Sequence, residues 1–201
     1  AMTGRNLTSV LRLRSLNVAL LAALLLIIGG TQASADPGQT RFKITWSACE
    51  KSPQTQCGTL KVPLDWSKPS GATISLAIAR RPAKDPQHRI GTLFFNPGGP
   101  GDGAAKYIVM AETVFTPTLI ERFDLVGMDP RGMENSSQVR CTVPAITPEI
   151  TLFPKSEQQF QQLLKHNREV GLNCLDKAGD LVRYMDTVSV ARDHDALRQA
   201  L

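Results

Sequence analysis

What the sequence lacks narrows its chemistry first. No Cys-x-x-Cys or His-x-x-x-His spacing occurs, and His88, His166 and His194 are scattered along the chain. Zinc ligands come clustered, so no metal site is expected. The longest apolar run is the 11 residues from Val18 to Ile28, whereas a membrane-spanning helix needs about 20. Excess charge is scarce as well. The net charge is +5, but Arg5, Arg12 and Arg14 fall within residues 1–35, where no acid occurs. The remainder carries 20 basic and 18 acidic side chains. That balance gives no electrostatic footprint for nucleic acid, which is not an expected partner. Glycine and proline, 15 and 13 of 201 residues, are near their average share, and no repeat or low-complexity tract is present. With 42% hydrophobic and 20% charged residues the chain has the composition of a folded protein. Its length suits one domain.

The first 35 residues read as an address. Three arginines precede the Val18–Ile28 run, Gly29-Gly30 interrupts it, and Ala33-Ser34-Ala35 supplies small residues before Asp36. A basic segment, a short apolar segment and an A-x-A site make up a secretory signal peptide. Cleavage near Ala35-Asp36 is expected, with residues 36–201 released outside the cell and no membrane attachment afterwards. The four cysteines, Cys49, Cys57, Cys141 and Cys174, all follow that site, and an exported protein favours disulfides. Four cysteines allow three connectivities, among which sequence does not decide. Cys49–Cys57 with Cys141–Cys174 is favoured, because each pair brackets a polar, loop-like or helical insertion.

Strands precede helices along the chain. Residues 41–49 and 59–66 read as short strands, and Thr73–Ala79 alternates strictly, so these three suggest an antiparallel meander. Gly91–Phe95 (GTLFF) is a continuous apolar run of the kind buried on both faces of a parallel sheet. A glycine-rich loop, a helical stretch over 103–112 and a second apolar strand, Phe123–Met128, follow it. Strand, helix and strand make a βαβ unit, so the class is α/β, with a mixed, mostly parallel sheet and antiparallel N-terminal strands. Residues 143–154 read as irregular. Residues 157–175 are helix-prone, with Phe160, Leu163, Leu164 and Leu172 as apolar members. A last helix begins near Thr187 or Ser189, and Val190, His194, Leu197 and Leu201 fall on one face of it.

The chemistry concentrates in Asn96-Pro97-Gly98-Gly99-Pro100-Gly101. A buried strand that delivers successive glycines sets unencumbered backbone N–H groups at the carboxyl edge of the sheet, where α/β folds bind ligands.

Three blocks carry a family resemblance: LKVPLDWSKPSGATISLAIARRPA at 60–83, RIGTLFFNPGGPG at 89–101, and FDLVGMDPRG with SSQVRC at 123–141. Together with TVSVARDHDALRQAL at 187–201, they resemble the secreted tripeptidyl aminopeptidases, α/β-hydrolase serine peptidases related to the proline iminopeptidases. The resemblance covers about residues 41–201 and implies an N-terminal portion of that fold. It also implies a serine exopeptidase that releases short, tripeptide-like units from peptide N-termini through an acyl-enzyme, without cofactor or metal. Gly98 and Gly99 then match the loop whose backbone N–H groups form the oxyanion hole, Gly99 foremost, with Asn96 and Pro97 shaping it. Asp129 and Arg131 hold a turn beside the floor of the site.

No nucleophile transfers. The family's serine lies in Gly-x-Ser-x-Gly, which occurs nowhere in residues 1–201, and Ser136 and Ser137 read as polar loop residues. The triad order Ser, Asp, His places no histidine upstream of the serine, so none of the three histidines is a triad member. The chain is thus expected to be a truncated, inactive portion that exposes apolar sheet and an unpaired edge. It departs from the family in three places. Asp102 stands where a small residue is usual, Glu134-Asn135 replaces Gly-Arg, and His194 replaces an aliphatic residue. A secreted esterase of the same fold, or a non-catalytic disulfide-bonded module, are the alternatives. Oligomeric state is not legible.

Overall fold

The computed structural model describes residues 42–50, 52–99 and 101–201. The expected signal peptide and its cleavage site lie outside the described residues. Strands β1 (Ile44–Cys49), β2 (Ser52–Pro63) and β3 (Thr73–Arg81) form the antiparallel meander. β4 (Gly91–Phe95) and β5 (Phe123–Met128) complete one five-stranded sheet, in the order β1-β2-β3-β5-β4. β4 and β5 run parallel, and β5 joins the meander antiparallel to β3. The sheet is mixed as expected, but three of its four pairings are antiparallel, which corrects the mostly parallel expectation. Among the described residues only one βαβ unit contributes a parallel pair.

Pleating sorts the strand residues between two cores. Leu60, Val62, Leu76, Ile78, Val126 and Met128 face one side, and Leu125 and Ala79 the other. The second side is covered by three short helices, α1 (Ala105–Val109), α2 (Ala111–Val114) and α3 (Pro117–Arg122). Gly127 permits that closeness, since a β-carbon there would come within 2.7 Å of the Ala104 carbonyl oxygen. The single helix read over 103–112 is instead broken at Met110, whose φ of −96° and ψ of 26° leave the helical region. α3 has a legible signal that the sequence reading passed over, Pro117 at its first turn.

Other elements differ from expectation for identifiable reasons. β2 starts at Ser52 and stops at Pro63, so Trp66 lies outside it. Its polar first half continues the hairpin with β1, across which Cys49 and Cys57 are bonded. β4 is an edge strand, not a strand buried on both faces, and Phe94 is 41% exposed. α4 (Glu157–Ala178) has no buried residue, and Phe160, Leu164 and Leu172 are exposed. What fastens it is covalent and polar. Cys174 is bonded to Cys141, and Asn173 Oδ1 accepts from the Thr142 and Val143 N–H groups at 2.8 and 3.0 Å. No helix among the described residues is long and apolar enough to cross a membrane.

α5 (Thr187–Ala200) follows a 3-10 turn over Gly179–Tyr184 and packs on the first core. Its buried positions are Ser189, Asp193, Ala196 and Leu197, so of the Val190, His194, Leu197, Leu201 face that apolar spacing suggests, Leu197 alone is buried. A buried ion pair rotates the helix. Arg131 and Asp193 have fully buried side chains and form two N–H···O bonds of 2.7 Å. The remaining Arg131 donors reach the carbonyls of Leu64 (2.8 Å), Tyr184 (3.1 Å) and Pro63 (3.1 Å), so all five are used. Trp66 Nε1 donates to Asp193 Oδ1 at 3.0 Å. Burial pushes the Asp193 carboxyl above its ordinary value, while Arg131 and Trp66 pull it down. Asp193→Ala leaves a buried guanidinium with two unpaired donors, and the expected loss of unfolding free energy is roughly 3–5 kcal/mol. Urea unfolding followed by tryptophan fluorescence checks this. A loss below about 1 kcal/mol, the range of exposed pairs, contradicts it.

Candidate functional site

The glycine loop leaves β4 at the carboxyl edge of the parallel pair and turns into α1. Gly98, Gly99 and Gly101 have φ of 78°, 131° and 105°, a region that side chains with a β-carbon rarely occupy. Asn96 sets the entry. Its Oδ1 accepts the Gly98 N–H at 2.9 Å, a local turn that fixes the loop and engages that donor. The exposed Gly99 makes no hydrogen bond among the described residues. The two glycines singled out from sequence thus differ: Gly98's N–H is occupied within the loop, and Gly99's is available.

The loop borders an open cleft of about 420 Å³. Gly98, Gly99, Gly101 and Asp102 form one side, and Met133, Met185 and Val190 make the facing side apolar. Asp186, at the cleft's rim, caps α5 by accepting from Ser189 N–H at 2.9 Å and from its hydroxyl at 2.7 Å. These bonds hold the Asp186 carboxyl below its usual range. Met133, Met185 and Asp186 were not anticipated as site residues. The Asp-x-x-Ser cap was legible, but nothing in sequence places it opposite residue 99.

Asp129 ties the loop to the turn after β5. It is buried, accepts from the Ala105 N–H at 3.0 Å at the start of α1, and receives Asn135's N–H and side-chain amide at 3.2 and 3.3 Å. Asp129 and Arg131 therefore hold the turn and its neighbours; both are buried, and Arg131, though it borders the cleft, has every donor committed to protein oxygens. Ser136 and Ser137 are more than polar loop residues. Ser136 is fully buried, donates to the Asp129 carbonyl at 2.6 Å and accepts from the Ala77 N–H at 2.7 Å. Ser137 accepts from the Ser75 N–H at 3.1 Å and donates to the Ser75 carbonyl at 3.2 Å. The two hydroxyls thus satisfy β3 where β5 has ended.

Two of the departures from the family pattern meet beside the cleft. Asp102 accepts from the Tyr107 hydroxyl at 2.6 Å and pairs with Lys106, which also reaches Glu134 at 3.3 Å. The Lys106 and Tyr107 bonds lower the Asp102 carboxyl, and the same contacts raise Lys106 and Tyr107. Glu134 sits at φ 44°, left-handed backbone that suits the usual glycine better. Lys106 compensates by linking both acids, so the charge introduced near the loop is partly neutralised. His194 is half-buried, with its Nδ1 3.0 Å from the Val190 carbonyl oxygen one turn earlier.

No family model matches the chain. Serine protease Hip1 of Mycobacterium tuberculosis is 33% identical over 189 residues, covering 87% of this chain and 35% of that protein. The tripeptidyl aminopeptidase of Streptomyces coelicolor is 32% identical, over 80% of this chain and 32% of its own length. Carboxylesterase B of M. tuberculosis is 35% identical, over 72% of this chain and 29% of its own. The chain spans about a third of the length of the curated relatives it matches.

The Asp102 cluster gives a titration signature. A carboxyl lowered in the folded state contributes stability that is present above its unfolded value and lost as pH falls through the folded one. Asp102→Asn should abolish that acid-side change and also bring the Tyr107 phenol down towards its ordinary value. Ultraviolet titration of tyrosine ionisation reads the second effect. An unchanged profile in the variant rules out the Asp102 contact as its cause.

Proposed function

We propose, from the premise that the chain belongs to the serine peptidase family of these tripeptidyl aminopeptidase and Hip1 relatives, that it forms the N-terminal, oxyanion-stabilising portion of a secreted serine exopeptidase. The relatives' names support a serine hydrolase. The observation that carries the finer reading is the Gly99 N–H, unpartnered among the described residues, at the mouth of the cleft on a loop that Asn96 and Asp129 fix from two sides. A donor fixed before the substrate arrives is what a developing oxyanion requires. In this reading a serine outside residues 1–201 attacks the carbonyl of an N-terminal peptide unit. Negative charge grows on the carbonyl oxygen and is met by Gly99 N–H and by the N–H following the serine. The acyl-enzyme then forms as the shortened peptide leaves, and water releases the acyl unit. The apolar side made by Met133, Met185 and Val190 suits a substrate side chain or backbone stripped of water. Secretion with removal of residues 1–35, a peptide substrate and cofactor-free chemistry complete the proposal. An esterase is the second reading, favoured by the Carboxylesterase B relative, since the same oxyanion loop serves both leaving groups.

Two preparations test this. The 201-residue chain alone should not turn over a tripeptidyl chromogenic amide. The same chain continued by a segment bearing Gly-x-Ser-x-Gly, Asp and His should do so, and a serine-directed inhibitor should stop it. In that longer protein Gly99→Ala, which places a β-carbon 3.0 Å from the Gly101 nitrogen, should lower kcat by about 10²–10³ with little change in KM. Inhibitor-sensitive turnover by the 201-residue chain overturns the placement of the nucleophile. Turnover of esters without amides by the longer protein selects the esterase.

A further inference from the structure

The end of the sheet remote from the glycine loop holds a buried cation that the proposed reaction does not use. β3 runs antiparallel to β5, so Arg81, the last residue of β3, lies opposite Leu125 near the start of β5. The glycine loop follows the other end of the parallel pair. Arg81 is 5% exposed, yet one acid partner engages it: Nη2 bonds Glu112 Oε1 on α2. The other four of its five N–H donors have no protein acceptor among the described residues. They border a separate cleft of about 250 Å³, with Pro53, Val109 and Met110 on its sides. Arg131 shows how the same protein treats a guanidinium whose task is structural, since all five of its donors meet protein oxygens.

The guanidinium nitrogens that protein leaves unfilled are not sealed off, since Arg81 lines the cleft and none of its nitrogens is a buried unpartnered atom among the described residues, so an acceptor entering the cleft can complete the fork. We propose that Arg81 forms a binding site for a monoanionic carboxylate carrying a short apolar tail. The planar fork offers two parallel N–H groups matched to a carboxylate. Glu112 already supplies one negative charge, which disfavours a dianion such as phosphate. Pro53, Val109 and Met110 give the tail apolar contact. The Glu112 side chain is 64% exposed, so it can yield its place on the fork to the incoming carboxylate at little cost.

Butyrate is the probe, titrated into the ¹⁵N-labelled full chain and followed at the Arg81 Nε–H and the Ser52 and Thr113 amides. Butyramide and chloride at equal ionic strength serve as controls. The expected result is a saturable shift with butyrate and none with either control. Glu112→Gln, an exposed change that removes a competing carboxylate, should tighten binding about threefold to fivefold, the span of an exposed ion pair. Arg81→Met should abolish the amide shifts, with its fold checked by the unchanged dispersion of the β1–β2 amides. A non-saturating response, an equal response to butyramide, or weaker binding in Glu112→Gln each overturns the site. If Arg81→Met fails to fold, the sign of the Glu112→Gln effect decides alone.

Discussion

The Arg131–Asp193 ion pair is the constraint around which the described structure is arranged. A charge pair without solvent exposure survives only when every donor and lone pair has a partner. That requirement draws three stretches of chain to one point. Pro63 and Leu64 come from the end of β2, Tyr184 from the 3-10 turn before α5, and Asp193 from α5 itself. Trp66 covers the carboxylate and packs edge-on against Phe42, with ring centroids 5.9 Å apart. Hydrophobic burial then fills what this polar centre has positioned, since Ala196 and Leu197, one helical turn after Asp193, enter the core.

The same turn that carries Arg131 also governs the glycine loop. Asp129, two residues earlier, holds the start of α1, while Gly132, one residue later at φ 79°, packs against Met185 on the far side of the cleft. One short segment after β5 therefore sets the spacing between both sides of the cleft. A loop of three glycines has little conformational preference of its own, so its geometry depends on such external bracing. Asn96 provides the local half of that bracing and Asp129 the long-range half.

Much of this architecture was readable because it depends on local chemistry. The strict alternation of Thr73–Ala79 and the apolar Phe123–Met128 run became strands at those positions, and the meander followed from short turns. Cys49–Cys57 and Cys141–Cys174 are the bonded pairs, each joining segments that are close along the chain. What resisted reading was long-range. The inward face of α5 is chosen by a carboxylate 62 residues from its partner, and apolar spacing pointed to a neighbouring face. β4 looked doubly buried because GTLFF is apolar, but burial depends on what lies beside it, and it is an edge. Gly99 ranks ahead of Gly98 only by family resemblance; the physical difference between them comes from one side chain, Asn96, which engages the Gly98 N–H.

The paired hydroxyls of Ser136 and Ser137 have a consequence for how this sheet can grow. They saturate the N-terminal half of β3 with side-chain groups, so the notch left where β5 stops presents no free backbone ladder there. A further strand cannot slot in beside β3 without displacing both serines. Enlargement is channelled to the margins, and of these β4 offers an apolar flank in Phe94. Two small hydroxyls act as a terminator for strand pairing, and the direction in which the fold can be extended is fixed by where they sit.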